Sequence, residues 1–314
     1  MEIDIQYLLF LQNLRIATGG VFDEFFNSLS KFAVDVLPFL PYVIFWCVNK
    51  KLGYRFVFTT VCADILNGII KLTVCAYRPW IRSDLIEPAG DSKKAATGYS
   101  FPSGHTVNAT VNYGNVFVWQ KGRNKWIAVL CAVLIALTAF SRNFLGVHTP
   151  QDVIVGFCEG VFMIWLIGKI LGKADGNEKL LDRLTLAGFL LIVAVLFYVS
   201  YKPYPMDYVD GVLLVDPQEM MNDTFKACGA FAGILLGSFI ERHYIHYDIP
   251  VHSENLPLLS CIGFAIIFSW KQWFAAATVV LALGSHWGNL LARFMMTFFA
   301  ICLWPLVIRK GCKE

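Results

Sequence analysis

Three short polar blocks interrupt an otherwise apolar chain, and their side chains are of the kinds that handle phosphate. The first is Lys71-LTVCAY-Arg78-Pro79, the second Pro102-Ser103-Gly104-His105, the third Ser141-Arg142-NFLGV-His148-TPQ-Asp152. They supply three cations, two histidines, one carboxylate and a Ser-Gly turn. A transferring phosphoryl group carries its charge on equatorial oxygens, so preorganised cations and amides supply most of its stabilisation. An imidazole can in addition attack phosphorus or carry a proton.

Each block also has a local reading. Lys71 lies roughly 10 Å below the end of its apolar stretch, at about 1.5 Å per helical residue. There it faces a polar cavity or snorkels to the headgroups. Arg78 precedes a proline, which suits a span ending in an extended turn. Ser103 is placed to cap the helix that follows, where free amides and the helix dipole favour a bound anion. His148 and Asp152 are four residues apart and face the same way on a helix, so the carboxylate can fix the imidazole tautomer. The same residues also read as a plain helix start, with Thr149 as cap, Pro150 in the first turn and Asp152 favoured by the dipole.

These blocks sit at the ends of hydrophobic stretches. The chain has 314 residues, 57% hydrophobic, 15% aromatic and only 16% charged, with a mean hydropathy of +0.57. Such a composition implies an integral membrane protein of all-α class, a polytopic helix bundle. A net charge of +3 gives no reason to expect a nucleic-acid partner. Nine cysteines are scattered without a CxxC pair or a spacing suited to zinc, so no metal, cofactor or disulfide framework is expected.

A crossing needs about 20 predominantly apolar residues. Nine spans are expected, near 31–48, 54–77, 103–119, 125–141, 149–172, 184–201, 224–241, 257–272 and 290–309. Within 257–289, Lys271 and His286 break the apolar tract, which leaves one long kinked helix or a span with a re-entrant piece. Residues 5–18 are interrupted by Gln12, Asn13 and Arg15 and read as an interfacial amphipathic helix or a short first span. Acidic Glu2 and Asp4 do not suit a cleaved signal peptide. The chain divides into an N-terminal interfacial segment 1–28, a six-helix core 29–201, and an extension 202–314 of about three further spans.

Lysines and arginines in short loops set orientation. Lys50, Lys51 and Arg55, then Lys121, Arg123 and Lys125, then Lys173, Lys179 and Arg183 alternate with the three blocks. If those loops are cytoplasmic, the blocks share the outer face, with the N-terminus outside and Arg309, Lys310 and Lys313 inside. Asp64, Asn67 and Lys71 share a face of the second span, Asn108 and Asn112 follow His105, and Glu159 lies seven residues beyond Asp152. These are expected to form internal hydrogen bonds. His286 and Arg293 share a face without any sequence link to the blocks.

Together the blocks resemble the type 2 phosphatidic acid phosphatase superfamily, whose motifs read KxxxxxxRP, PSGH and SRxxxxxHxxxD. The resemblance covers about residues 30–172 and implies a helical, metal-independent phosphatase core. It implies that His148 is the nucleophile, that Asp152 orients it, and that His105 protonates the leaving alcohol. Lys71, Arg78, Ser103, Gly104 and Arg142 would then bind the phosphate. The phrases GYSFPSGHT and GVHTPQDV are similar, more loosely, to sphingosine-1-phosphate phosphatases, which usually carry Thr where Gly104 stands.

The implied substrate is a lipid phosphate monoester or prenyl pyrophosphate, met at the non-cytoplasmic face of the plasma membrane. A sugar-phosphate phosphatase or lipid phosphotransferase could use the same site. A non-catalytic transporter or scaffold is the alternative of another class, and it has no need of His105, His148 and Asp152 together. The many spans argue against a haloperoxidase with a similar anion pocket, and no repeated halves of the transporter kind are present.

Overall fold

The computed structural model describes residues 2–96, 98–270 and 283–312. The described chain is helical apart from one two-stranded hairpin. Its helices are α1 (Ile3–Ala17), α2 (Asp23–Asp35), α3 (Leu40–Cys47), α4 (Lys50–Val74), α5 (Pro79–Arg82), α6 (Ser92–Ala95), α7 (Gly104–Gln120), α8 (Lys125–Phe144), α9 (Pro150–Ala174), α10 (Glu178–Tyr201), α11 (Pro217–Ile240), α12 (Asn255–Ser269), α13 (Ser285–Phe298) and α14 (Trp304–Gly311). Strands β1 (Tyr208–Val209) and β2 (Val212–Leu213) pair antiparallel between α10 and α11.

Among the described residues, seven helical stretches are long and apolar enough to cross a membrane, by length and composition. They are Asp23–Cys47, Lys50–Arg82, Lys125–Phe144, Pro150–Ala174, Glu178–Tyr201, Pro217–Ile245 and Ser285–Gly311. This is a polytopic all-α membrane protein. Two of the nine expected spans correspond to shorter helices, α7 with 17 residues and α12 with 15. Helix α7 is also too polar to qualify on composition, because Thr106, Thr110, Asn112 and Asn115 are buried along it. The break expected at Lys271, the end of the span 257–272, and the basic Lys313 lie outside the described residues.

The chain forms two compact units built from several stretches each, and helices α4, α9 and α11 contribute to both. The first unit takes residues 1–38, 66–164 and 202–221. Here α1, α2 and α7 pack on α8. One apolar cluster joins Phe26, Ala89, Ala96, Phe144, Leu145 and Val147. Helix α1 is docked by the residues that interrupt its apolar pattern. Gln12 donates to Leu85 O at 3.0 Å, Arg15 to Glu87 O at 2.6 Å, and Asp4 pairs with Arg82 at 2.8 Å. Its remaining face exposes Ile3, Phe10, Leu14 and Ile16. The sequence division at 28 falls inside α2, and the stretch 202–221, expected to open the extension, is part of this first unit.

The second unit takes residues 39–65, 165–201 and 222–314. Gly229, Gly233 and Gly237 recur every four residues on α11 and let its backbone approach α13. A Cβ at Gly229 would lie 2.1 Å from Leu290 O, and one at Gly233 would lie 2.4 Å from Phe294 O. Small residues at this spacing are a standard means of close helix packing in a bilayer. The buried Glu241 accepts from Lys50 Nζ at 2.7 Å, Tyr54 Oη at 2.8 Å and the Tyr247 amide at 2.7 Å. His286 meets Asn222 at 2.6 Å.

Candidate active site

All three blocks fall in the first unit. The segment from Arg142 to His148 has its length for a local reason. Helix α8 ends in a Schellman motif: the Gly146 amide donates to Asn143 O at 2.9 Å, and the Val147 amide donates to Arg142 O at 3.2 Å. Gly146 sits at φ +72°, where a side chain would be strained. The turn carries His148 back so that its amide also donates to Arg142 O, at 3.2 Å. Asn143 then fixes the His148 carbonyl with a 2.9 Å bond.

Helix α9 opens at Pro150 with a reciprocal cap. The Thr149 amide donates to Asp152 Oδ2 at 2.8 Å, and the Asp152 amide donates to Thr149 Oγ1 at 3.4 Å. The same Oδ2 lies 3.3 Å from His148 Nδ1. The helix-start reading and the histidine-orienting reading therefore describe one carboxylate. His148 is outside the helix, and the cap rather than helical periodicity brings the pair together.

Around this pair lie the cations. Arg78 Nη1 stands 2.8 Å from His148 Nε2 and donates to Val147 O at 3.0 Å, while its Nε donates to Gly98 O at 3.0 Å. With Nδ1–H directed at the carboxylate, Nε2 carries the lone pair that faces Arg78. Burial, followed by the charges of Arg78, Lys71 and Arg142, holds the His148 imidazole well below the usual histidine range. A neutral imidazole at neutral pH is the form able to act as a nucleophile.

Arg142 is 2% exposed and donates through Nη1 to Ser30 Oγ, while its Nε and Nη2 have no hydrogen-bond partner among the described residues. Buried polar groups are as a rule satisfied, so this guanidinium fits an acceptor with several oxygens. Lys71 donates to Pro102 O at 2.6 Å, Tyr99 O at 3.2 Å and Ser100 O at 3.4 Å. It faces protein rather than snorkelling, and holds the loop that leads into the second block.

Ser103 caps α7 as expected, accepting from the Thr106 amide at 3.4 Å and from Thr106 Oγ1 at 3.0 Å. Its amide donates to Asp152 O at 2.9 Å, which ties the second block to the third. Gly104 opens the helix, and His105 is half-buried in its first turn. His105 lies close enough to Arg142, His148, Arg78 and Lys71 for their charges to act on it. The eight residues singled out by the motifs thus come together within one unit.

Several contributors lie outside the motif positions. Ser100 Oγ donates to Asp152 Oδ2 at 2.5 Å and lies 3.5 Å from His148 Nδ1. It stands just before the second block, and nothing in its local pattern separates it from any loop serine. Ser30 is 112 residues away from the arginine it serves. Among the expected internal bonds, Asn67 donates to Glu159 Oε2 at 3.1 Å, Asn108 to Gly104 O at 3.3 Å and Asn112 to Asn108 O at 2.9 Å. Among the described residues, no group of three or more His, Cys, Asp or Glu side chains is arranged to hold a metal ion.

Residues 53–175 match the model of the PAP2 superfamily. The chain is 27% identical to lipid phosphate phosphatase delta of Arabidopsis thaliana, over 78% of this chain and 59% of that protein. It is 26% identical to undecaprenyl-diphosphatase of Sulfolobus acidocaldarius, over 50% of this chain and 73% of that protein. It is 22% identical to sphingosine-1-phosphate phosphatase 2 of Homo sapiens, over 85% of this chain and 64% of that protein. The chain thus spans about three fifths of the length of the plant relative. No solved structure matches it. The matched stretch holds every residue of the three blocks.

Proposed function

We propose that this chain is a membrane-embedded, metal-independent phosphatase of a lipid phosphate monoester or a prenyl pyrophosphate. The observation that carries the proposal is a buried histidine held by a carboxylate on one nitrogen and facing the buried Arg78 with the other. The relatives' names support phosphate-ester chemistry on lipids, and the apolar helices support a site carried by an integral membrane protein.

In this reading His148 Nε2 attacks phosphorus while the bond to the leaving oxygen breaks (the alcohol oxygen of a monoester, or the prenyl phosphate oxygen of a pyrophosphate), and His105 gives that oxygen its proton. A phosphohistidine results. His105 then takes a proton from water as the water oxygen bonds to phosphorus, the P–N bond breaks, and inorganic phosphate leaves. Asp152 stabilises the charge that builds on the His148 ring in the first step. Arg142, through its unpartnered N–H groups, and Arg78 hold the equatorial oxygens, and the Arg78 bond to Nε2 must yield as the phosphoryl group enters. Ser103 and the Gly104 amide complete the anion site at the N-terminus of α7. Lys71 adds positive charge and fixes the loop. The alternating basic loops support a site on the non-cytoplasmic side, with the plasma membrane as its expected location.

The test is phosphate release from phosphatidic acid, lysophosphatidic acid, sphingosine phosphate, a prenyl pyrophosphate and glucose-6-phosphate, with chelator present. Wild type should release phosphate from at least one lipid, and His148→Ala should not. Activity lost on chelation, or retained by His148→Ala, overturns the mechanism.

A further inference from the structure

The three blocks read a phosphate, and a phosphatase must also read what the phosphate is attached to. One stretch outside the blocks is fastened at three places, to the first block and to the segment that leads into the second. Lys202 Nζ lies 3.7 Å from Cys75 Sγ. The Tyr77 hydroxyl donates to Asp207 Oδ2. The Tyr99 amide points at Met220 Sδ at 3.2 Å, and the same sulfur packs where a Cβ at Gly98 would sit. Tyr77 is the neighbour of Arg78, Gly98 O holds Arg78 Nε, and Tyr99 O accepts from Lys71. Residues 202–221 belong with the site's own compact unit, although they follow α10 in sequence.

Between its fastenings this stretch forms the β1–β2 hairpin, turned at Asp210 and Gly211, which both have positive φ. Met206, Tyr208, Val209 and Val212 are each more than half exposed. Val209 and Val212 are cross-strand partners and so lie on one face. Tyr208 pairs with Leu213 on the other face, so Val209 and Val212 form an exposed apolar pair on one side of the hairpin, with Met206 exposed just before it. Asp207, Asp210, Asp216 and Glu219 are interspersed along the same stretch, a charge pattern unsuited to adsorption on anionic headgroups.

We infer that the hairpin 206–213 reads the apolar chain of the substrate, laying Met206, Val209 and Val212 against it while the three blocks hold its phosphate. The inference rests on the phosphatase reading above. It assigns substrate selectivity to a loop that lies beyond residues 53–175.

The experiment uses the full chain in detergent and a series of monoalkyl phosphates from butyl to dodecyl, kept below their micelle concentrations. In wild type kcat/KM should rise with chain length. In the triple variant Met206→Ser, Val209→Ser, Val212→Ser, the dodecyl-to-butyl ratio of kcat/KM should fall on the order of tenfold, the effect of about 1.4 kcal/mol of lost apolar contact. Tyr77→Phe, which unties Asp207, should lower the ratio in the same direction by a smaller factor. An unchanged ratio in the triple variant overturns the inference and leaves the phosphatase reading standing. So does a ratio that falls only when vesicles are added, since the hairpin would then be touching bilayer rather than substrate. Wild type that releases no phosphate from any member overturns both.

Discussion

Replacing Asp152 by Asn keeps the shape of the side chain and removes its charge, which isolates what the carboxylate does for His148. Asp152 Oδ2 accepts from Thr149 N at 2.8 Å and Ser100 Oγ at 2.5 Å and faces His148 Nδ1 at 3.3 Å. An asparagine Oδ1 can still accept from the amide, so the α9 cap largely survives and the stability loss should stay near 1–2 kcal/mol. Catalysis should lose far more. At 3.3 Å and an effective dielectric constant of about 20, one unit charge acts on another with about 5 kcal/mol, nearly four decades in rate. The pair is buried, so little screening reduces this, and loss of the Nδ1–H tautomer adds to it. The assay is single-turnover phosphate release by purified Asp152→Asn, beside a thermal melt that confirms a folded protein. A fall in kcat of about 10³- to 10⁴-fold is expected. A folded variant within tenfold of wild type would refute the assigned role of Asp152.

Further outcomes follow from the contacts of His148, Arg142 and Gly98. Burial and three nearby cations depress the His148 pKa, so the acidic limb of kcat/KM should lie below the ordinary histidine value of about 6.5. Arg142→Gln should move that limb upward while lowering kcat/KM. The unfolded chain takes up a proton that native His148 resists, so stability should decline as pH falls below about 6.5, as a denaturant midpoint series would show. Gly98→Ala places a Cβ 1.7 Å from Met220 Sδ at a φ of +69°. The methionine can swing aside but the backbone strain remains, so a loss of about 1–3 kcal/mol is expected. The melting temperature should fall and KM should rise as Arg78 loses its hold on Gly98 O. Met220→Ala in the same chain should recover only part of the stability.

Much of the site was legible because its parts are local. A Pro after Arg78, a Ser before Gly104 and the Thr149–Asp152 cap each act within a few residues, and the Schellman turn at Gly146 sets the distance from Arg142 to His148. Helix number was less legible. Helix α7 has a span's position in the sequence but not its apolarity, since its buried side chains include threonines and asparagines. Helix α1 looked amphipathic in the ordinary sense, yet Gln12 and Arg15 bond to a loop more than 70 residues away. Such pairings depend on which helices pack together, and hydropathy carries no record of it.

Composition and motif spacing alone determined that this is a helical membrane protein and which eight residues could handle a phosphate. They could do so because bilayer thickness fixes span length and because caps and turns are short-range. Only the tertiary structure decided that Ser100 meets Asp152 and Ser30 meets Arg142, that Lys71 holds a loop, and that residues 202–221 fold back onto the neighbours of Arg78. Those facts require chain segments distant in sequence to be packed side by side, and the energy that packs them lies in contacts no single segment contains.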